Sequence, residues 1–490
     1  MNVGERVEVR TVSGVVRGEW VRDVAVFRGV PYARPPVGAR RFAAPVPVLP
    51  WDGVRDALEF GPPVPQKGWA GADSGDCLTL NVWSPDLGAA RLPVLVWIHG
   101  GAYLEGESSN PHHDGALLAA AGAVVVSMNY RTGVEGFAHI IGAPANRGLL
   151  DQAAALRWVR DNVAAFGGDP GRVTVFGQSA GAGSVAALLV MPSAAGLFQR
   201  AIAQSVPGTY FAPGLAAAIS ASIAAEVGAG ADIDELSTIS PRALIDATGT
   251  VIAKMPDEVE SWGPMALTPT PFSPVVDGDV LPCAPWQALA DGAARGVDVL
   301  VGHTRDEFRL FDPHRGGTVT DAELTATLHR LAPGIDYRTA YPDATNAELY
   351  ETVNADWLFR MPSLHLAAAQ RAGCGRAWLY ELCWSFNRDE GASHSLDVLL
   401  VFGTLGANEV REHPAAHPNA AAEVFGVGHA MRTDWLSFAT NGDPGWPPYD
   451  PRTRLTRVYT ATPGTRPYPE ESSCRLWSAH RFAPLNLLGE

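Results

Sequence analysis

The stretch Phe176-Gly177-Gln178-Ser179-Ala180-Gly181 decides how this chain is read. The β-branched run Val173-Thr174-Val175 precedes it, and Gly183-Ser184-Val185-Ala186-Ala187-Leu188-Leu189, a segment able to start a helix, follows it. A strand that turns at once into a helix while exposing a serine leaves no room for a Cβ two positions before or after that serine, which accounts for Gly177 and Gly181. In this setting G-x-S-x-G marks Ser179 as a nucleophile, and the N-terminus of the following helix offers the Ala180 N–H to a developing oxyanion. Five residues alone are a weak pattern, since a turn that merely contains serine matches it. The surroundings carry the case.

Outward from the elbow, apolar runs alternate with helical patterns. Leu92-Pro93-Val94-Leu95-Val96-Trp97-Ile98, Ala123-Val124-Val125-Val126-Ser127-Met128, Val173-Thr174-Val175-Phe176, Val297-Asp298-Val299-Leu300-Val301 and Ala377-Trp378-Leu379-Tyr380 read as strands buried on both faces. Residues 151–166 repeat Ala155, Leu156, Val159 and Val163 at helical spacing. Alternating β and α elements predict a mostly parallel, doubly wound α/β sheet covered by helices. Two stretches, 216–265 and 318–375, are helical in pattern and interrupt the strand rhythm. They are expected as insertions over the carboxyl edge of the sheet, where open α/β sheets form their pockets. With no repeat, low-complexity tract or linker, residues 1–490 are expected to form one elaborated domain.

The charge balance, 37 Lys+Arg against 52 Asp+Glu for a net of −15, disfavours nucleic acid and anionic membranes, which are bound by clustered cations. The start Met1-Asn2-Val3-Gly4-Glu5-Arg6-Val7 runs straight into strand-like alternation, without the features of a signal peptide. No stretch approaches the roughly 20 apolar residues of a membrane span. Five scattered cysteines, Cys77, Cys283, Cys374, Cys383 and Cys474, fit buried thiols in a reducing cytoplasm better than a disulfide framework. No CxxC pair or Cys/His cluster suggests a metal, and neither metal nor cofactor is expected.

A serine nucleophile of this fold needs an oxyanion hole, an acid and a base, the last two following it in that order. Directly after the 92–98 strand comes His99-Gly100-Gly101-Ala102-Tyr103, a Gly-rich turn able to aim consecutive N–H groups into a site. An ordinary strand-ending turn would look similar, but the position ahead of the elbow suits the functional reading; His99 itself reads as a structural loop residue. Beyond the 297–301 strand, Asp306 and Glu307 compete as the acid, and spacing does not separate them. Of 13 histidines, those after residue 307 include His394, His413, His417, His429 and His480. His394 sits in a loop beyond the strand around 377–384, a suitable place for an imidazole that must reach the serine.

With these residues laid out, nearly the whole chain resembles the type-B carboxylesterase family, which includes bacterial p-nitrobenzyl esterases and the cholinesterases. The likeness runs through Phe27-Arg28-Gly29-Val30-Pro31-Tyr32-Ala33-Arg34-Pro35-Pro36-Val37-Gly38, Asp76-Cys77-Leu78-Thr79-Leu80-Asn81-Val82-Trp83, Asn129-Tyr130-Arg131, Phe166-Gly167-Gly168-Asp169-Pro170, Ser273-Pro274-Val275-Val276-Asp277-Gly278 and Trp446-Pro447-Pro448-Tyr449. It implies an α/β-hydrolase fold. It also implies Glu307 as the acid, His394 of Gly391-Ala392-Ser393-His394 as the base, and Gly101, Ala102 and Ala180 as oxyanion donors.

The chain departs from the family in four places. Gln178 stands where the family usually has Glu, which removes a carboxylate beside the nucleophile and predicts weaker attraction for cationic substrates and an altered pH profile. Gly75 replaces a Glu ahead of Cys77. Eukaryotic members pair that cysteine with one before a Pro-Gln step, but Val64 precedes Pro65-Gln66 here, so Cys77 is expected as a free thiol. Phe308 replaces a Gly after the acid and is expected to crowd the site.

These readings converge on a carboxylic ester hydrolase working through Ser179, His394 and Glu307 by an acyl-enzyme, on small to medium, mostly uncharged esters. A catalytically inactive cholinesterase-like binding protein, and an amidase or carbamate hydrolase using the same residues, stand as alternatives. Tyr103, Phe137, Trp357, Phe359 and Phe402 are candidates for an apolar pocket, although core packing is the commoner fate of such residues. The natural ester and the oligomeric state are not legible.

Overall fold

The computed structural model describes residues 4–69, 71, 75–89 and 91–488; Met1, Asn2 and Val3 of the N-terminal stretch read above lie outside them. Thirteen strands join in one sheet among the described residues. They are β1 (Arg6–Arg10), β2 (Val15–Val21), β3 (Val24–Pro31), β4 (Val54–Asp56), β5 (Thr79–Ser84), β6 (Leu92–Ile98), β7 (Val124–Met128), β8 (Gly168–Gln178), β9 (Arg200–Gln204), β10 (Asp298–Thr304), β11 (Ala377–Leu382), β12 (Leu455–Tyr459) and β13 (Gly464–Pro467). The order is β1-β2-β3-β5-β7-β6-β8-β9-β10-β11-β12-β13, with β4 paired to β2.

From β7 through β6, β8, β9, β10 and β11 to β12 every pairing is parallel, and antiparallel strands extend both ends. This is the mostly parallel sheet expected of an α/β-hydrolase. The five strands read from the sequence all lie in it, the elbow's strand reaching back to Gly168.

Alternation along the buried strands explains why both faces are covered. Val94, Val96 and Ile98 of β6 join one apolar cluster, with residues of the helices Arg147–Asn162 (α1) and Ala180–Leu188 (α2). Leu95 and Trp97 join the other, with residues of Leu396–Phe402 (α3) and Ala420–Asn441 (α4). A strand with helices on both faces has no polar side to spend, hence the unbroken apolar runs.

Both stretches that broke the strand rhythm are largely helical. Pro213–Ala225 and Pro241–Lys254 flank shorter turns in the first; Asp321–Leu331, Asn346–Ala355 and Met361–Ala372 fill the second. Four of these five begin on a signal in the sequence: proline at the first turn in Pro213–Ala225 and Pro241–Lys254, a Thr320/Glu323 capping box and a Thr345/Glu348 capping box. No helix among the described residues is long and apolar enough to cross a membrane.

Register places the site. Ile98 pairs with Gly177 across β6 and β8, and Gln178 with Gln204 across β8 and β9; Gly302 pairs with Gln204 across β10 and β9, and Thr304 with Leu382 across β10 and β11. Parallel strands in this register end together. The turns carrying Gly101, Ser179, Ser205, Glu307 and His394 therefore leave the same edge of the sheet.

Candidate active site

Ser179 sits between β8 and α2 with φ 57° and ψ −125°, a conformation L-residues rarely adopt. The turn is tight enough that a methyl group on Gly181 would overlap the Ile98 carbonyl. One on Gly177 would stand 2.6 Å from the Gly181 carbonyl oxygen. The two glycines are thus required by the neighbouring strand β6 as well as by the elbow itself.

The Gly-rich loop after β6 lies directly against the elbow. A methyl group on Gly100 would lie 2.8 Å from the Gln178 carbonyl oxygen and 3.2 Å from Ser179 Cβ, so only glycine lets the two turns approach. Gly101, Ala102 and Tyr103 all have positive φ, at 111°, 56° and 58°. For Ala102 and Tyr103 that carries a strain of ~1–3 kcal/mol each, sustained by the surrounding contacts.

Leu104 and Glu105 N–H both donate to the Gly101 carbonyl, at 2.9 and 3.1 Å, and Gly133 N–H donates to the Tyr103 carbonyl at 2.7 Å. These bonds occupy the carbonyls of Gly101 and Tyr103. His99 holds the loop from behind. Its Nδ1 lies 2.8 Å from the Gly100 carbonyl and its ring stacks on Tyr130 at 4.3 Å. Burial pushes His99 down to about 4, so it stays neutral and structural, as its place in the loop suggested.

Of the two competing carboxylates, Glu307 faces His394. His394 Nδ1 lies 2.5 Å from Glu307 Oε2, while Ser205 Oγ–H and Thr304 N–H donate to Oε1 at 2.5 and 2.8 Å. The Glu307 side chain is fully enclosed. Burial works to raise its carboxyl, but the imidazole of His394, the bond from it and the bond from Ser205 outweigh that and hold Glu307 below the usual carboxylate range.

Asp306 takes a different part. It accepts from Ala392 N–H at 2.7 Å, its own N–H donates to the Ala392 carbonyl at 2.9 Å, and it pairs with Arg305 and Arg309. Adjacent carboxylates thus divide the work, one facing the ring and the other tying the loop that carries the ring. The other histidines lie elsewhere: His417 beside Glu423, His413 on Phe386, His480 on Trp477.

Nε2 of His394, the nitrogen that would take the serine proton, lies 2.9 Å from the side-chain amide nitrogen of Gln178. Apolar rings cover the imidazole. Phe359 lies 4.3 Å and Phe311 5.2 Å from it, centroid to centroid.

Of the aromatics singled out from the sequence, Phe359 stands at the site. Tyr103 and Phe137 pack on each other at 4.7 Å, and Phe402 packs against Trp97 and Phe176 in the core. The expected crowding by Phe308 takes an indirect form: Phe308 is buried against Phe311 and Tyr350, and Phe311 is the ring that reaches His394. Ser205 and Phe311 are site residues the sequence reading did not name. A serine after a short strand and a phenylalanine four residues beyond an acid carry no pattern that marks them.

A cavity of about 640 Å³ opens beside the Gly-rich loop, between Leu104, Glu105, Gly133 and Val134 on one side and Leu244 and Ile252 on the other. A second, of about 450 Å³, lies behind Phe311, with Phe308, His314 and Tyr350 in its wall. Among the described residues no cluster of His, Cys, Asp and Glu is placed to hold a metal ion. A serine at a strained elbow, backbone donors beside it and a buried carboxylate–imidazole pair form a constellation suited to acyl transfer.

Residues 5–477 match the model of the carboxylesterase family. The chain is 38% identical to the para-nitrobenzyl esterase of Bacillus subtilis (strain 168), over 92% of this chain and 94% of that protein. It is 35% identical to the fumonisin B1 esterase of Sphingopyxis macrogoltabida, over 90% and 84%. Among solved structures it is similar to the carboxylesterase EST55 of Geobacillus stearothermophilus, with a TM-score of 0.84 and 36% identity over 96% of this chain and 99% of that one.

Proposed function

The chain belongs to the carboxylesterase family and is a carboxylic ester hydrolase, and from that premise we propose that Ser179, His394 and Glu307 carry the reaction on small to medium, mostly uncharged esters. The observation that carries the reading is the buried Glu307–His394 pair, whose ring touches Gln178 of the elbow next to Ser179. Glu307 holds the ring proton on Nδ1, leaving Nε2 bare. Nε2 takes the proton of Ser179 Oγ as that oxygen attacks the ester carbonyl. The N–H groups of Gly101, Ala102 and Ala180 take the charge that develops on the carbonyl oxygen. The imidazolium then protonates the leaving alcohol, and water, activated by the same ring, releases the acid from Ser179.

The surroundings support that substrate class. The rings of Phe311 and Phe359 and the wall of Leu104, Val134, Leu244 and Ile252 favour apolar acyl and alcohol groups. An amide at position 178 adds no charge for a cation. Residues 1–490 are taken as one catalytic domain, the helical stretches 216–265 and 318–375 bordering the cavities. The five cysteines are free thiols, the state kept in a reducing compartment, which supports a cytoplasmic enzyme.

The test is a panel of p-nitrophenyl esters of rising acyl length, run with the native protein and with Ser179→Ala, beside the matching p-nitroanilides. Ester turnover that disappears in Ser179→Ala is expected, falling by about 10⁶ in kcat. Full activity in that variant would remove the serine from the mechanism. Anilide turnover equal to that of the esters would move the assignment to an amidase.

A further inference from the structure

We propose that Gln178 is a positioning residue that caps the base: its side-chain amide donates to the Nε2 lone pair of His394 in the free enzyme and keeps the ring unprotonated. The inference rests on His394 being the base of the reaction above, and it goes beyond that reading by assigning a role to a residue outside the triad.

The direction of the bond follows from the groups around the ring. Glu307 already accepts from Ser205 Oγ–H and Thr304 N–H at Oε1, as a carboxylate does, and its Oε2 faces Nδ1 at 2.5 Å, so the proton of a neutral His394 sits on Nδ1. Nε2 is then bare and can only accept. The Gln178 atom 2.9 Å away must be a donor, which selects the NH₂ end of the amide toward the ring. The carboxamide oxygen is left toward Gly100, where a Cβ would stand 3.2 Å from it. The amide is thus wedged between the oxyanion loop and the base.

Other groups facing the ring do not substitute for this one. Glu307 lies at Nδ1, and the rings of Phe359 and Phe311 pack against the imidazole. Asp397, on the helix that follows, acts on the ring by its charge but bonds Tyr380 at 2.7 Å, and burial raises its carboxyl. Asp306 is bound by Arg305, Arg309 and Ala392 N–H.

The consequence is a matter of sign. A donor bonded to the lone pair favours the neutral ring, and it opposes an N–H arriving on Nε2. For the ring to take the serine proton, the amide must swing aside or turn its oxygen toward the new N–H. A carboxylate at position 178 would do the opposite: it would attract the imidazolium and favour proton uptake from solvent. Gln178 therefore keeps the base free at pH values where a carboxylate would let it be protonated, and so extends esterase activity to the acid side.

The experiment compares the native protein with Gln178→Glu and Gln178→Met. The readouts are kcat and kcat/KM against pH with neutral p-nitrophenyl acetate, and the rate at which an organophosphate labels the serine. Methionine keeps the length of the side chain and removes the donor without adding charge. The acid limb of kcat/KM and of labelling is expected to move up by about one pH unit in Gln178→Glu, and by a smaller amount in the same direction in Gln178→Met. Both limbs unchanged, in proteins that label stoichiometrically at high pH, would overturn the role given to Gln178. A downward shift in Gln178→Glu would overturn it too. Failure of the underlying mechanism shows differently: it appears as activity that survives in Ser179→Ala or His394→Ala, whatever position 178 holds.

Discussion

Single residues at this site work through what they prevent as much as through what they donate. Glu307 is fully enclosed, and three donors converge on its carboxylate, one of them the hydroxyl of Ser205. Ser205→Ala removes one of the three while leaving the carboxylate buried. A hydrogen bond to a charged group contributes ~1.5–3 kcal/mol, so kcat is expected to fall by about tenfold or more, with KM little changed. A kcat equal to the native value, or a loss confined to KM, would show that Ser205 only fills space. Glu307→Gln is the sharper form of the same test, since an amide cannot specify the ring tautomer; a loss of about 10⁴ in kcat is expected.

At the scale of elements, the site is a meeting of loops that leave one edge of a parallel sheet. The segment after β10 does two jobs: Asp306 ties it to the loop carrying His394, and Phe311 stands between the imidazole and the 450 Å³ cavity. Phe311→Ala joins that cavity to the site. Turnover of long-chain p-nitrophenyl esters should then rise relative to the acetate, seen as a shift of kcat/KM toward longer acyl chains. An unchanged chain-length profile would show that the cavity does not communicate with the ester. Elements also set limits: Gly181→Ala drives a methyl into the Ile98 carbonyl, and loss of soluble protein is expected rather than a slower enzyme.

Across the whole molecule, buried charge joins distant parts of the chain. Asp151 of α1 takes the backbone N–H and the guanidinium of Arg131, whose remaining donors reach the carbonyls of Arg41 and Ala43. Asp151→Ala leaves that guanidinium buried without its partner and should cost ~3–5 kcal/mol, read as a lowered Tm or denaturant midpoint. An unfolding curve indistinguishable from the native one would refute it.

A second site gives a pH signature. Burial first, then the charge of Glu470, drives the Glu381 carboxyl well above its ordinary value of 4.5. A carboxyl raised in the folded state contributes fully below its unfolded pKa and loses that contribution as pH climbs through the folded one. Glu381→Gln should therefore leave Tm little changed near pH 4 and raise it increasingly toward pH 8. A pH-independent difference would contradict this.

The elbow, the five buried strands, the helix after Ser179 and the family were all legible from the residues, because each is written in short-range pattern: apolar runs, glycines flanking a serine, caps at fixed offsets. Local pattern left Asp306 and Glu307 as rivals, and His394 among several histidines, until the family resemblance chose between them. What decides which carboxylate faces the ring is the pairing of Asp306 with residues 86 positions away, and such pairings are fixed only when β10 and β11 lie side by side. The same holds for Ser205 under Glu307, Phe311 over His394 and the amide of Gln178 on Nε2. Sequence by itself determined the fold class and the elbow at Ser179, since sterics along the chain demand them. Tertiary structure alone decided the contacts around the imidazole, since contacts between loops depend on strand register and on distances that no local pattern encodes.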